Sequence, residues 1–170
     1  MNEVAYTLVG TLFGFFLLFA YDRWKERQEV LRQRRKILAL LFDEINRNVY
    51  TSKKNLEILS NELKIIEETR TESVIQPVSF STSSWLIARA GDITRFLDHS
   101  TMEKLSQLYQ ALEWVNSIIQ NRELTRAASK QLIEYPIIIK AYNERLLKMM
   151  TELRPEIEDT VGIIKGLQKC

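Results

Sequence analysis

The sequence predicts an all-α protein: a single N-terminal transmembrane helix continuing into a long stalk helix and a cytosolic antiparallel helical bundle. Three observations predict it. Five Gly and three Pro among 170 residues are less than half the roughly 12% usual in proteins, too few breakers for a sandwich, a barrel or a Gly-looped doubly wound sheet. An uncharged run, VAYTLVGTLFGFFLLFAY, fills positions 4–21. Beyond it, apolar residues recur at helical spacing with no Gly or Pro between Gly14 and Pro77.

The anchor, 1–21, comes first. Its 18 uncharged residues lie between Glu3 and Asp22. As a helix they would span about 27 Å, close to the roughly 30 Å hydrocarbon core of a bilayer. Tyr6, Tyr21 and Trp24 stand near the ends, where amphipathic rings settle at headgroup depth. Residues 1–3 carry no basic charge and no small-residue cleavage site follows, so the run reads as a retained anchor rather than a signal peptide. Thr7, Gly10, Thr11 and Gly14 share one helical face, with Glu3 a turn earlier. Small and weakly polar residues there would let a neighbouring helix approach closely, or would line a polar path. These five are the expected oligomerisation or pore-lining residues.

The basic juxtamembrane stalk, 22–37, follows. Within 22–36, seven basic residues oppose three acidic ones, 7 − 3 = +4. The Lys/Arg excess predicts an outside N-terminus and a cytoplasmic C-terminal domain. Arg23, Trp24, Lys25 and Arg27 are the expected lipid-headgroup contacts.

The cytosolic bundle occupies 38–170. A stripe of Leu31, Leu38, Leu41, Ile45, Val49, Leu56, Leu59, Leu63 and Ile66 predicts one helix to about Arg70. Thr71–Ser84 has loop composition, and Ser81, Thr82 or Ser83 should cap a short helix from Trp85 to Ala90. Ser100-Thr101-Met102-Glu103 has the form of a capping box, and Asp98 is an alternative cap for the same helix. The third helix so opened has Leu105, Leu108, Tyr109, Leu112, Val115, Ile118 and Ile119 on one face. Pro136 should end or kink it. A last helix, about Ile137 to Ile164, carries Ala141, Tyr142, Leu146, Met149, Met150, Leu153, Ile157 and Val161, and Pro155 should kink it. Trp85, Phe96, Tyr109, Trp114, Tyr135 and Tyr142 suggest a packed domain.

Chemistry is harder to find. One His and one Cys exclude a Cys-based zinc site, a disulfide framework and any mechanism needing two histidines. No phosphate loop, nucleophile elbow or zinc-protease motif occurs. No catalytic residue, cofactor or metal is expected. Net charge is +2, and the basic run lacks interleaved aromatics apart from Trp24, so no specific nucleic-acid binding is expected. Carboxylate pairs such as Asp43-Glu44 and Glu67-Glu68 read as solvated helix faces.

Three segments, GTLFGFFLLFAYDRWKE, LLFDEINRN and FSTSSW, cover about a fifth of the chain. Through them it resembles small N-terminally membrane-anchored helical proteins of bacterial antiviral defence. Nearest in appearance is the membrane accessory protein of type VI-B CRISPR systems. The resemblance implies a ring-forming pore in a bacterial inner membrane with a degenerate HEPN-like bundle, placing the pore on Glu3, Thr7, Gly10, Thr11 and Gly14. HEPN ribonucleases set a catalytic Arg and His further apart than Arg95 and His99, which have three residues between them. One residue of offset turns a helical side chain by about 100°.

The expected function is therefore a non-enzymatic, single-pass membrane protein that self-associates, an effector or pore-forming accessory in antiviral defence. Its partners would be the lipid bilayer and other copies of itself. One alternative is a membrane tether whose bundle docks a cytosolic protein. The other is a ribonuclease using His99.

Overall fold

The structure, a computed structural model, describes residues 2–69, 71, 75–91, 93, 97–129 and 135–169, without the side chains of 2–6, 129 and 169. All regular elements among them are helical: α1 (Asn2–Thr69), α2 (Ser83–Ala90), α3 (His99–Ser129) and α4 (Tyr135–Lys169). The chain divides into two compact units, Met1–Lys36 and Ile37–Cys170.

In the first unit, Leu8, Leu12, Phe13, Phe15, Phe16, Leu18 and Phe19 are each more than half exposed. Among the described residues no helix is long and apolar enough to cross a membrane. From Thr7 to Tyr21 the uncharged run holds 15 residues, about 22 Å of helix, short of a hydrocarbon core. It reaches 18 only with Val4, Ala5 and Tyr6, whose side chains lie outside the described set.

The second unit is the bundle. Its core joins Leu38, Leu41, Ile45 and Leu59 of α1 to Trp85 and Ala88 of α2, Leu105 through Ile119 of α3, and Leu146, Met150, Leu153, Ile157 and Ile164 of α4. All seven residues read as the inner face of α3 are buried. On α4, Ala141 is exposed, while Ile139 and Asn143 are buried. Trp114 is 55% exposed, with the Arg145 guanidinium 5.9 Å from its ring, so it lies outside the core.

The bundle is only partly antiparallel. Glu44 and Glu62 of α1 meet Tyr109 and Arg122 of α3 in the same order along the chain, so α1 and α3 run parallel. Glu67 of α1 meets Lys140 near the start of α4. Leu38 accepts a bond from Gln168 near its end, so α4 runs against α1. The direction is reset by the segment before α2. Residues 78–82, outside any helix, descend α1 from Asn55 toward Glu44, and the first turn of α2 meets Glu44, handing the chain back to the level where α1 enters the core.

The helix ends correct two expectations. Thr82 precedes α2 but its side chain makes no capping bond; the α1 carboxylate of Glu44 takes the Ser84 N–H instead, at 2.8 Å. At α3, Asp98 rather than Ser100 is the cap: its carboxylate accepts from the Thr101 N–H at 2.9 Å and hydroxyl at 2.7 Å. Those bonds hold the Asp98 carboxyl below the usual carboxylate range. Gly91 ends α2, with its N–H on the Ile87 carbonyl at 2.9 Å. A Cβ there would meet Ile37 Cδ1 at 3.2 Å and that carbonyl at 3.3 Å, so a side chain at 91 would need the end of Ile37 to shift by a few tenths of an ångström. Pro136 sits in the first turn of α4, where a missing N–H costs nothing. Exposed Pro155 lies inside α4, which continues to Lys169.

Candidate functional site

Three arrangements could carry function: the apolar face of α1, a carboxylate-and-asparagine clasp, and a buried ionic knot.

On α1, Gly10 and Gly14 have open space where a Cβ would stand, with nothing within 4 Å. Thr7 and Thr11 share their face, but the Thr11 hydroxyl donates to its own helix, to the Thr7 carbonyl at 2.8 Å. A bond from that hydroxyl to a neighbouring helix would have to compete with this one. Glu3 lies outside the described side chains. At the end of the run, the Tyr21 and Trp24 rings lie 6.1 Å apart. The Arg23 guanidinium covers Phe19 at 5.4 Å, with Glu26 3.9 Å away. Lys25 and Arg27 are exposed.

The clasp is built from α1 and α3. Asn55 donates to the Val78 carbonyl and accepts from the Val78 N–H, both at 2.7 Å. Asn48 does the same at Ser81, at 2.8 and 2.9 Å, and Asn116 at Phe80, at 2.9 and 2.7 Å. An amide side chain has the donor and acceptor of a peptide group, so each pair substitutes for a strand neighbour. Pro77 and Phe80 are buried beneath. At the lower end, Glu44 is fully buried. Its Oε2 accepts from the Ser81 and Ser83 hydroxyls at 2.7 and 3.1 Å, besides the Ser84 N–H. Its Oε1 accepts from the Tyr109 hydroxyl at 2.9 Å. Burial alone would raise the Glu44 carboxyl; the Ser84 N–H and the Ser81, Tyr109 and Ser83 hydroxyls outweigh it and hold it below the usual range. Tyr109, stacked on Trp85 at 5.1 Å, is pushed far above the usual phenol range by burial and by the Glu44 charge.

The ionic knot ties three helices. Arg122 of α3, fully buried, donates through Nη2 to Glu62 of α1 at 2.5 Å and through Nε to Asn143 of α4 at 2.8 Å. Its Nη1 is bound to Glu123. Burial raises the Glu62 carboxyl against the opposing pull of Arg122, Asn143 and Arg126. Glu62 Oε1 and Asn143 Nδ2 are buried with no hydrogen-bond partner among the described residues. All of it is closed to a substrate.

His99 is exposed at the start of α3, beside an open hollow of about 590 Å³ shared with Met102, Glu103 and Gln107. Its candidate partner Arg95 lies outside the described residues. Among the described residues no group of three or more His, Cys, Asp or Glu side chains could hold a metal.

No protein-family model, curated protein or solved structure matches this chain. The arrangements above are thus read on their own chemistry.

The solvated-face reading of Asp43-Glu44 is corrected for Glu44, since only Asp43 is exposed. Glu67 and Glu68 are exposed, and Glu67 pairs with Lys140 at 3.0 Å. The sequence reading missed Asn48, Asn55, Glu62 and Arg122. A signal was there: Asn48, Ser52, Asn55 and Glu62 stand at helical spacing from Leu41 and Leu59.

Proposed function

We propose that the chain is a non-enzymatic membrane protein. The N-terminal part of α1 lies in a lipid bilayer, the bundle stays in the cytoplasm, and copies associate through the face of Thr7, Gly10, Thr11 and Gly14. One observation carries the reading: the large apolar side chains from Leu8 to Phe19 are each more than half exposed and are not buried by any of the described residues. Exposing such a surface to water costs about 25 cal/mol per Å², so it needs a bilayer or a partner. Val4, Ala5 and Tyr6 bring the uncharged run to bilayer length. Trp24, Arg23, Lys25 and Arg27 then fall at headgroup depth, with the basic excess inside. The resemblance to anchored antiviral-defence proteins supports an effector or pore-forming accessory as the role of the assembly. The open surface over Gly10 and Gly14 supports close helix approach.

The test is alkaline carbonate extraction of membranes, followed by the mass of the detergent-solubilised protein. Retention in the membrane and a defined oligomer are expected; release into the supernatant defeats the proposal. Gly10→Leu with Gly14→Leu should keep membrane retention, because the run stays apolar, and should lower the oligomer mass. A monomeric wild type would favour the second reading, a tether whose bundle docks a cytosolic protein.

A further inference from the structure

We infer that one face of the basic segment, Arg23 with Arg27, holds the phosphate of an anionic phospholipid whose acyl chain lies on Phe16 and Phe19. The inference rests on the membrane reading above. It divides the headgroup-contact residues into two sides. At about 100° per residue, Arg23, Arg27, Val30 and Leu31 share the side of α1 that carries Phe16 and Phe19. Lys25 and Arg32 fall on the opposite side, with Thr7, Thr11 and Gly14. A helix packed through its small-residue face therefore turns Arg23 and Arg27 toward lipid and Lys25 and Arg32 away from it.

The local geometry fits a lipid better than a free anion. Arg23, Glu26, Arg27, Val30 and Leu31 line an open hollow of about 410 Å³. Helical side chains lean toward the N-terminus, and Arg23 does so, its guanidinium lying over Phe19 at 5.4 Å. This places the charge at the boundary between the apolar run and the polar segment, the depth of lipid phosphates. Arg27 stands one turn, about 6 Å, further on. Two planar guanidinium forks at that spacing can bracket one phosphodiester. The rings of Phe16 and Phe19 on the membrane side supply an apolar wall that inorganic phosphate would not use. Glu26 is a loose partner, 3.9 Å from Arg23 with both side chains mostly exposed. A phosphodiester offering bidentate contact replaces it.

The test uses the full-length protein in vesicles of phosphatidylcholine with a minor share of phosphatidylglycerol. The protein is re-extracted in mild detergent, and its retained lipid is measured by mass spectrometry. Wild type should retain phosphatidylglycerol above its bulk share. Arg23→Gln with Arg27→Gln should lower that enrichment at least about fivefold. Arg32→Gln with Lys36→Gln, both on the opposite side of the helix, removes the same charge and should leave it unchanged. Equal loss in both double variants overturns the inference in favour of segment-wide charge attraction. Displacement of the lipid by millimolar inorganic phosphate overturns the commitment to a lipid. Insertion into vesicles without enrichment defeats this inference alone; failure to insert defeats it together with the membrane reading.

Discussion

Arg122→Ala is expected to destabilise the bundle by about 3–5 kcal/mol, a melting shift on the order of 10–20 °C. Arg122 is the largest fully buried side chain, and its loss leaves the Glu62 carboxylate buried without its cation. Of the other groups that act on that carboxylate, Asn143 is neutral and Arg126 acts through its charge alone. Glu62→Gln should cost less, since Glu123 and Asn143 still hold the guanidinium. The knot also costs desolvation, and a same-volume apolar pair often matches a buried ion pair. Arg122→Met with Glu62→Leu should therefore recover most of the loss. Thermal denaturation of wild type, Arg122→Met, Glu62→Leu and the double variant decides it: additive losses in the double variant would mean the two residues act separately.

The second large effect is at Glu44. Glu44→Ala leaves the Ser84 N–H and the Tyr109 hydroxyl buried without their acceptor, an expected cost of about 3–4 kcal/mol from two orphaned donors. Glu44→Gln keeps the shape and one acceptor and should lose about 2 kcal/mol. Its pH dependence is diagnostic. The folded Glu44 pKa lies below the unfolded value of 4.5. The unfolded state therefore binds more protons between the two, and stability falls as pH drops through that window. Above 4.5 the contribution is fully present. Glu62 has the opposite sign: its folded pKa is raised, so stability falls as pH rises from 4.5 toward the folded value. Unfolding measured between pH 3 and 7 should show a shallower acid limb in Glu44→Gln than in wild type, and a steeper one in Glu62→Gln. An unchanged acid limb in Glu44→Gln would rule out the charged clasp.

The helices were legible because their apolar spacing was. Leu105 to Ile119 announce the inner face of α3, and the drought of Gly and Pro announces the length of α1. Direction was less legible. An antiparallel bundle is the default for short connections, and nothing in the period of α1 or α3 says that they run parallel. That comes from residues 78–84, whose composition reads as loop and whose tertiary bonds have no one-dimensional signature. Burial of polar residues was misread for a definite reason. Charge and amide residues are mostly exposed, and that tendency outweighed the spacing that put Asn48, Asn55 and Glu62 in line with Leu41 and Leu59. The cap at α2 was missed because its carboxylate comes from a residue 40 positions away.

Because the three asparagines hold peptide groups, the segment they grip is free to change its exposed side chains but neither its main chain nor buried Pro77 and Phe80. Val78 and Ser79 are exposed, so substitutions such as Val78→Thr or Ser79→Ala should stay within about 0.5 kcal/mol. Proline at 78, 80 or 81 removes the very N–H that Asn55, Asn116 or Asn48 accepts, and a substitution scan read by melting temperature should show those three vacancies in an otherwise permissive profile. In descendants of this chain the conserved letters of the contact would then lie on the helices, at 48, 55 and 116. The strand they hold would drift almost beyond alignment, keeping only Pro77, Phe80 and the hydroxyl that faces Glu44.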